Sequence, residues 1–149
     1  MSIAVPTGET ASKPRRDFTL REHEVEYLTA RQLAWQTMST EQGKWLVITQ
    51  YPVPEGYGSV DVPIRFVRIA LRIPPNYPDE QIDMVFVDPP LRLQNGRQIP
   101  ATTPQPVVGG MFQQWSRHRT SLNPWRPGDD GIDTHLLLVD YWFQLETQR

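Results

Sequence analysis

Serine, histidine and carboxylate side chains are the groups in this chain that could do chemistry, because its 149 residues include no cysteine. Without a thiol the protein can form no thioester, disulfide or thiolate metal site. Three histidines, His23, His118 and His135, are scattered and form no H-x-x-x-H pair. We therefore predict no metal site and no cofactor. His23 and His135 are expected to be solvated or helix-capping residues.

Charge and hydropathy limit the class of partner. A net charge of −2 provides no basic field of the kind that nucleic acid or an anionic membrane demands. No apolar run approaches the roughly 20 residues of a membrane span, and residues 1–17 lack the apolar section of a signal peptide. We predict no nucleic-acid partner, no membrane partner and a cytoplasmic location.

The length suits a single domain. Residues 1–17 are rich in Ser, Thr, Pro, Gly and Ala and show no apolar periodicity, which predicts a disordered N-terminal arm ahead of a domain at residues 18–149.

Helical patterns mark both ends of that domain. Thr19 and Glu22 form a capping-box pattern, which predicts an opening helix. Residues 134–145 carry apolar side chains on one helical face and predict a final helix, with the acidic run 129–133 supplying its cap through Asp133. Residues 111–118 have apolar positions at i, i+1 and i+4, which favours a short helix.

Strand patterns occupy the middle of the chain. Residues 45–51 are β-branched and aromatic, residues 60–73 alternate with a change of phase near Phe66, and residues 84–87 begin another strand. The stretch from 94 to 110 is Pro-rich and predicts an irregular loop. Together these elements predict an α+β fold: an N-terminal helix, an antiparallel meander of three or four strands, and a C-terminal helix packed on the sheet.

Two local motifs narrow the family. The segment RIALRIPPNYPDEQIDMVFVDPPL contains Tyr77-Pro78 between two predicted strands, and Trp125-Arg126-Pro127 precedes the final helix. In this order they resemble the Tyr-Pro turn and the Trp-x-Pro of ubiquitin-conjugating enzymes, and most of all the diverged bacterial members, prokaryotic family E. The resemblance covers roughly residues 18–145. It implies a ubiquitin-conjugating-enzyme-like fold, with a ThiF-like adenylating activating enzyme and a ubiquitin-like protein as partners.

The same resemblance implies where a nucleophile should lie. In the eukaryotic relatives the catalytic cysteine stands about eight residues before this Trp, and counting back from Trp125 reaches Arg117, flanked by Ser116 and His118. There is no His-Pro-Asn upstream. The implied catalytic residues are Ser116 as the nucleophile, His118 as its base, and Arg117 as a group that helps a developing oxyanion.

Alternatives to that assignment remain open. Side chains at i and i+2 share a face on a strand but not on a helix, so the predicted helix at 111–118 counts against a Ser116–His118 pair. His118 could instead be structural and bond the loop before Trp125. Ser121 is a second hydroxyl candidate, and a serine here is also what an engineered cysteine replacement would leave.

Two functions fit these residues. The first is a cysteine-less conjugating enzyme that accepts the ubiquitin-like C-terminus as an oxyester on Ser116 and passes it to a target, with antiphage defence as a role suggested by analogy with the family's operons. The second is a non-catalytic scaffold that binds the activating enzyme and the ubiquitin-like protein. A serine hydrolase is not favoured, because the sequence has no G-x-S-x-G elbow.

Overall fold

A computed structural model describes residues 13–149 of the chain. Its elements, in chain order, are α1 (Glu22–Ala30), β1 (Ala34–Thr40), β2 (Gly43–Pro52), β3 (Phe66–Ile73), β4 (Val85–Asp88), β5 (Thr102–Val107), β6 (Gly110–Trp115) and α2 (Ile132–Gln148). The six strands form one sheet in the order β1-β2-β3-β4-β6-β5, and every neighbouring pair is antiparallel. The predicted α+β class, the antiparallel sheet and the two terminal helices are confirmed.

The core lies between the helices and one face of the sheet. Leu46 of β2 pairs with Leu71 of β3, and Ile48 pairs with Ile69, and all four are fully buried. They pack in one cluster with apolar residues of α1 and α2, including Leu28, Leu136, Val139 and Phe143. Burying each such side chain contributes about 1.5–3 kcal/mol, so the alternation seen in the sequence fixes which sheet face carries the helices.

The opposite face of the sheet holds a smaller apolar cluster. Trp45 and Phe86 meet edge to face with ring centroids 5.4 Å apart, and Phe112 of β6 belongs to the same cluster. The helix predicted at residues 111–118 was wrong, and this second cluster explains why. Phe112 points to one sheet face while Trp115 points to the other, so two apolar residues three positions apart imitate helical spacing.

The predicted strand count of three or four was also too low. β5 was assigned to an irregular loop because its sequence, TTPQPV, contains Pro104 and Pro106. Proline is tolerated there because β5 is an edge strand with a neighbour on one side only. β1 was missed because its sequence, AWQTMST, has Thr37 as its one buried residue.

Details of capping and register also differ from the sequence prediction. α1 begins after Arg21, not Thr19, and the Arg21 N–H donates to Glu24 Oε1 at 3.0 Å. The N-cap of α2 is Gly131, whose N–H donates to Thr134 Oγ1 at 3.0 Å, rather than Asp133. β3 begins at Phe66, where the phase changes, while the register shift lies on its partner β2.

The described part of the predicted arm runs beside β1. Asp17 N–H donates to Thr37 O at 2.9 Å, and Thr37 N–H donates to Arg15 O at 3.0 Å. Arg16 stacks its guanidinium over the Trp35 ring, 3.4 Å from the ring centroid. Residues 1–12 of the arm lie outside the described residues.

A buried polar cluster joins three distant segments of the chain. Glu24 of α1 is fully buried and accepts hydrogen bonds from Tyr77 Oη and, at 2.8 Å, from the Arg21 guanidinium. Tyr77 Oη also accepts from the N–H of Ile132, the first residue of α2, at 2.8 Å. Burial opposes ionisation of Glu24, but the bonds from Arg21 and Tyr77 outweigh it and hold the pKa of Glu24 below its usual value.

The two motifs noted in the sequence meet beside this cluster. Trp125 Nε1 donates to Pro78 O at 2.9 Å, and the rings of Trp125 and Tyr77 lie 6.3 Å apart. Tyr-Pro and Trp-x-Pro are therefore one structural unit, which fixes both ends of the region between β3 and α2.

Replacing Tyr77 with phenylalanine should destabilise the fold. The change removes the Tyr77 hydroxyl bond to buried Glu24 and leaves the Ile132 N–H with its longer contact to Glu24 Oε2 at 3.3 Å, so we expect a loss of about 1–3 kcal/mol in the free energy of unfolding. Urea unfolding measures it. Tyr141→Phe is the matched control, because Tyr141 is 57% exposed, and it should change stability by less than about 0.5 kcal/mol. Equal stability of the two variants would contradict the structural role given to Tyr77.

Candidate functional site

The segment of residues 116–118 continues from β6 and is held by backbone hydrogen bonds on both sides. Ser116 N–H donates to Ala101 O at 3.0 Å, and Arg117 O accepts from Met84 N–H at 3.2 Å. Trp115, fully buried, anchors the end of the strand against Phe143 with ring centroids 5.0 Å apart. The position of the segment is therefore fixed by the strand, the turn before β5 and the turn before β4.

The alternation of side chains continues past the end of β6. Trp115 and Arg117 lie together on the side of α2, with the Arg117 guanidinium 4.9 Å from the Trp115 ring centroid. On the other side, Gln114 Nε2 donates to Ser116 Oγ at 3.1 Å. The segment is extended and not helical, so the helical spacing that would place Ser116 and His118 on different faces does not apply.

The predicted pair is nevertheless not hydrogen-bonded. Within residues 13–149, Ser116 Oγ has Gln114 as its side-chain partner and His118 has Asp83. Ser116 is half-buried. The structure brings the hydroxyl and the imidazole to neighbouring positions without joining them.

His118 forms a pair with a carboxylate that the sequence prediction did not include. His118 Nδ1 lies 2.9 and 3.0 Å from the two carboxylate oxygens of Asp83, and the imidazole side chain is 60% exposed. An ionised carboxylate can only accept, so in neutral His118 the proton sits on Nδ1 and the Nε2 lone pair is left free. This is the arrangement by which an Asp orients a catalytic His. The alternative in which His118 bonds the loop before Trp125 is not the one observed.

Arg117 is bound to α2. Its guanidinium donates to Glu146 Oε2 at 3.2 Å and to Pro100 O at 3.1 Å, and the side chain is 15% exposed. Glu146 is itself 2% exposed and also accepts from Arg97 at 3.0 Å. A role for Arg117 at a developing oxyanion would require it to leave this pair.

His135 was predicted to be solvated or capping, and that was wrong. It is 1% exposed on the inner face of α2, its Nε2 lies 2.9 Å from Met84 O, and its ring meets Trp142 edge to face at 5.5 Å. Burial lowers the pKa of His135 to about 4, so the imidazole is neutral and Nε2 is the donor to Met84 O.

Two other features of the described residues bear on partners. His23, Glu24 and Asp133 come close enough to be weighed as a metal site, but Glu24 already accepts from Arg21 and Tyr77, and the Arg21 charge opposes a cation. Among residues 13–149, neither helix has the length and apolar character that crossing a membrane requires.

Comparison with known proteins assigns the chain to a family. The family model of prokaryotic E2 family E matches residues 20–146, which include both motifs and all of residues 116–118. The chain belongs to prokaryotic E2 family E. Membership supports a conjugating-enzyme-like role, as the Tyr-Pro and Trp-x-Pro motifs predicted. No curated protein and no solved structure shows a significant match to the chain.

The buried His135 should make this family member less stable in mild acid. Its pKa in the folded protein, about 4, lies below the ordinary value of 6.5. Between these values the unfolded chain binds a proton that the folded chain does not, so stability is retained above pH 6.5 and lost as the pH falls toward 4. We expect a loss of about 2 kcal/mol between pH 7 and pH 5.

Urea unfolding at the two pH values measures this loss. In His135→Gln the loss attributable to the imidazole should disappear. His23→Gln, which alters an exposed histidine, should keep it. A His135→Gln protein with the wild-type pH dependence would show that another group is responsible.

Proposed function

We propose that this protein is a cysteine-less conjugating component of a bacterial, cytoplasmic ubiquitin-like pathway. It would accept the C-terminus of a ubiquitin-like protein from a ThiF-like activating enzyme as an oxyester on Ser116, and pass it to a target. The observation that carries the proposal is the His118–Asp83 pair, which lies two residues beyond Ser116 at the end of β6. Family membership supplies the conjugating-enzyme-like frame.

His118 is the base in this proposal. Serine is a weak nucleophile near neutral pH and requires an adjacent group to take its proton. With Nδ1–H donated to Asp83, the free Nε2 of His118 can take that proton, and side chains at i and i+2 of an extended segment share a face. The proposal requires the Ser116 side chain to turn from Gln114 toward His118 when an acyl donor binds, with the His118–Asp83 pair kept, since catalytic hydrogen bonds are often incomplete without substrate.

The proposed chemistry has two steps, and its reactants are the acyl thioester on the activating enzyme and a target amine. Ser116 Oγ attacks the acyl carbon of a thioester on the activating enzyme, and its proton passes to His118 Nε2. The bond from acyl carbon to Oγ forms, the bond from acyl carbon to sulfur breaks, and the departing thiolate takes the proton from His118. In the second step a target amine attacks the ester carbon, and Ser116 leaves with a proton returned through His118.

An adduct assay tests the proposal. Mixed with the activating enzyme, the ubiquitin-like protein and ATP, the chain should form an adduct that resists reducing agent and is cleaved by hydroxylamine. Ser116→Ala should abolish it, and His118→Ala should slow its formation by at least about a hundredfold. Ser39→Ala, which changes an exposed serine on the far strand β1, should form the adduct at the wild-type rate.

Mass spectrometry then places the acyl group. A modified Ser116 supports the proposal. An undiminished adduct in Ser116→Ala, or an acyl group found on Ser121, overturns it.

A non-catalytic scaffold is the second candidate, favoured by a different observation. The hydroxyl of Ser116 already accepts from Gln114, and the charge of Arg117 is already paired with Glu146. Ser116 and Arg117 thus already have polar partners among the described residues. In this function the protein holds the activating enzyme and the ubiquitin-like protein together while another protein supplies the nucleophile.

The scaffold makes the opposite prediction about the site. Ser116→Ala and His118→Ala should both bind the activating enzyme stably and leave conjugation in a complete mixture undiminished. Size-exclusion chromatography and the conjugation assay measure the two properties. Loss of conjugation in either variant, with its unfolding transition unchanged, would rule the scaffold out.

A further inference from the structure

Met84, the residue between Asp83 and strand β4, has an unusual backbone conformation. Its φ is 61°, in the left-handed region that a residue with a side chain rarely occupies. Such conformations persist where the surrounding structure holds them, and they concentrate at functional sites. Here the strained residue directly follows the carboxylate that pairs with His118.

Two hydrogen bonds hold Met84 in that conformation. Its N–H donates to Arg117 O at 3.2 Å, which ties it to the segment that carries His118. Its carbonyl accepts from His135 Nε2 at 2.9 Å, which ties it to α2. The second bond therefore anchors the residue before β4 to the helix that packs on the main core.

We propose that His135 is a positioning residue for the His118–Asp83 pair: by holding the carbonyl of Met84, it keeps the preceding Asp83 aimed at His118 Nδ1. The geometric part of this inference stands without any reaction. Its catalytic consequence rests on the proposed function, in which Asp83 sets the proton of His118.

The chemistry of His135 suits this task. It is buried, so its Nε2–H is protected from competition by water and is available to the Met84 carbonyl alone. Its Nδ1 is also buried and has no hydrogen-bond partner within residues 13–149, so the bond to Met84 is the one polar contact of the imidazole in that part of the chain. The charged groups that face it are Asp83 and Arg119. Because the His135 imidazole is neutral, it binds the Met84 carbonyl without placing a positive charge that would compete with His118 for Asp83.

The tautomer of His118 is a direct test, measured by ¹⁵N NMR on the isolated full chain above pH 7. In the wild-type protein the Nδ1–H form should dominate, because Asp83 accepts that proton. In His135→Leu the turn loses its anchor, and the ratio of Nδ1–H to Nε2–H should fall about tenfold, as expected for loss of a hydrogen bond to a charged group. Asp83→Ala gives the benchmark for complete loss.

Matched variants separate positioning from general stability. His135→Gln retains a side-chain N–H donor of similar reach and should restore the wild-type tautomer ratio. His23→Gln should leave it unchanged. If His135→Leu does not fold, His135→Asn provides the same test, since its shorter amide does not extend as far as Nε2. A wild-type tautomer ratio in a folded His135→Leu or His135→Asn protein would overturn the inference.

Failure of the inference and failure of the proposed function can be told apart. The NMR measurement needs no activating enzyme, so a tautomer change without any Ser116 adduct would support the positioning role and count against the oxyester. If both hold, His135→Leu should slow adduct formation by the same factor as Asp83→Ala, with His135→Gln restoring it.

Discussion

One buried carboxylate, Glu24, meets the hydroxyl of Tyr77 close to the first N–H of α2, and three segments far apart in sequence converge on this point. Each of these polar groups would be costly to bury alone, so they are stable only together. The turn that carries Asp83 lies a short way beyond Tyr77, and His135 lies in the first turn of α2. The geometry of the candidate site therefore depends on this contact between α1, the Tyr-Pro turn and α2.

The far end of α2 is held by a second buried carboxylate. Glu146 accepts from Arg97 and Arg117. The first contact ties the loop before β5 to α2, and the second ties Arg117, which lies between Ser116 and His118, to α2. Helix α2 is thus held at both ends by polar bonds as well as by its apolar face. Side chains beside a helix held in this way keep their relative positions, and a site made of a few side chains requires such fixed positions.

The sequence predicted the features that depend on local pattern and missed those that depend on contact across the fold. Both helices and β2 were predicted from periodicity. The two prolines of β5 imitated a loop, and the apolar residues of β6, which lie on opposite faces of the sheet, imitated a helix. Asp83 was not predicted because it lies 35 residues from His118, with no local signal linking them. His135 did carry a signal: it stands four residues before Val139 and seven before Trp142, on the buried stripe of α2.

The edges of the sheet have a consequence for the behaviour of the protein in a crowded cell. Residues 15–17 lie along one edge, beside β1. On the other, Pro104 and Pro106 of β5 offer no N–H to an approaching strand. A sheet finished in this way resists edge-to-edge aggregation. Both features of residues 13–149 limit extension of the sheet by backbone pairing, which favours docking through side chains and loops.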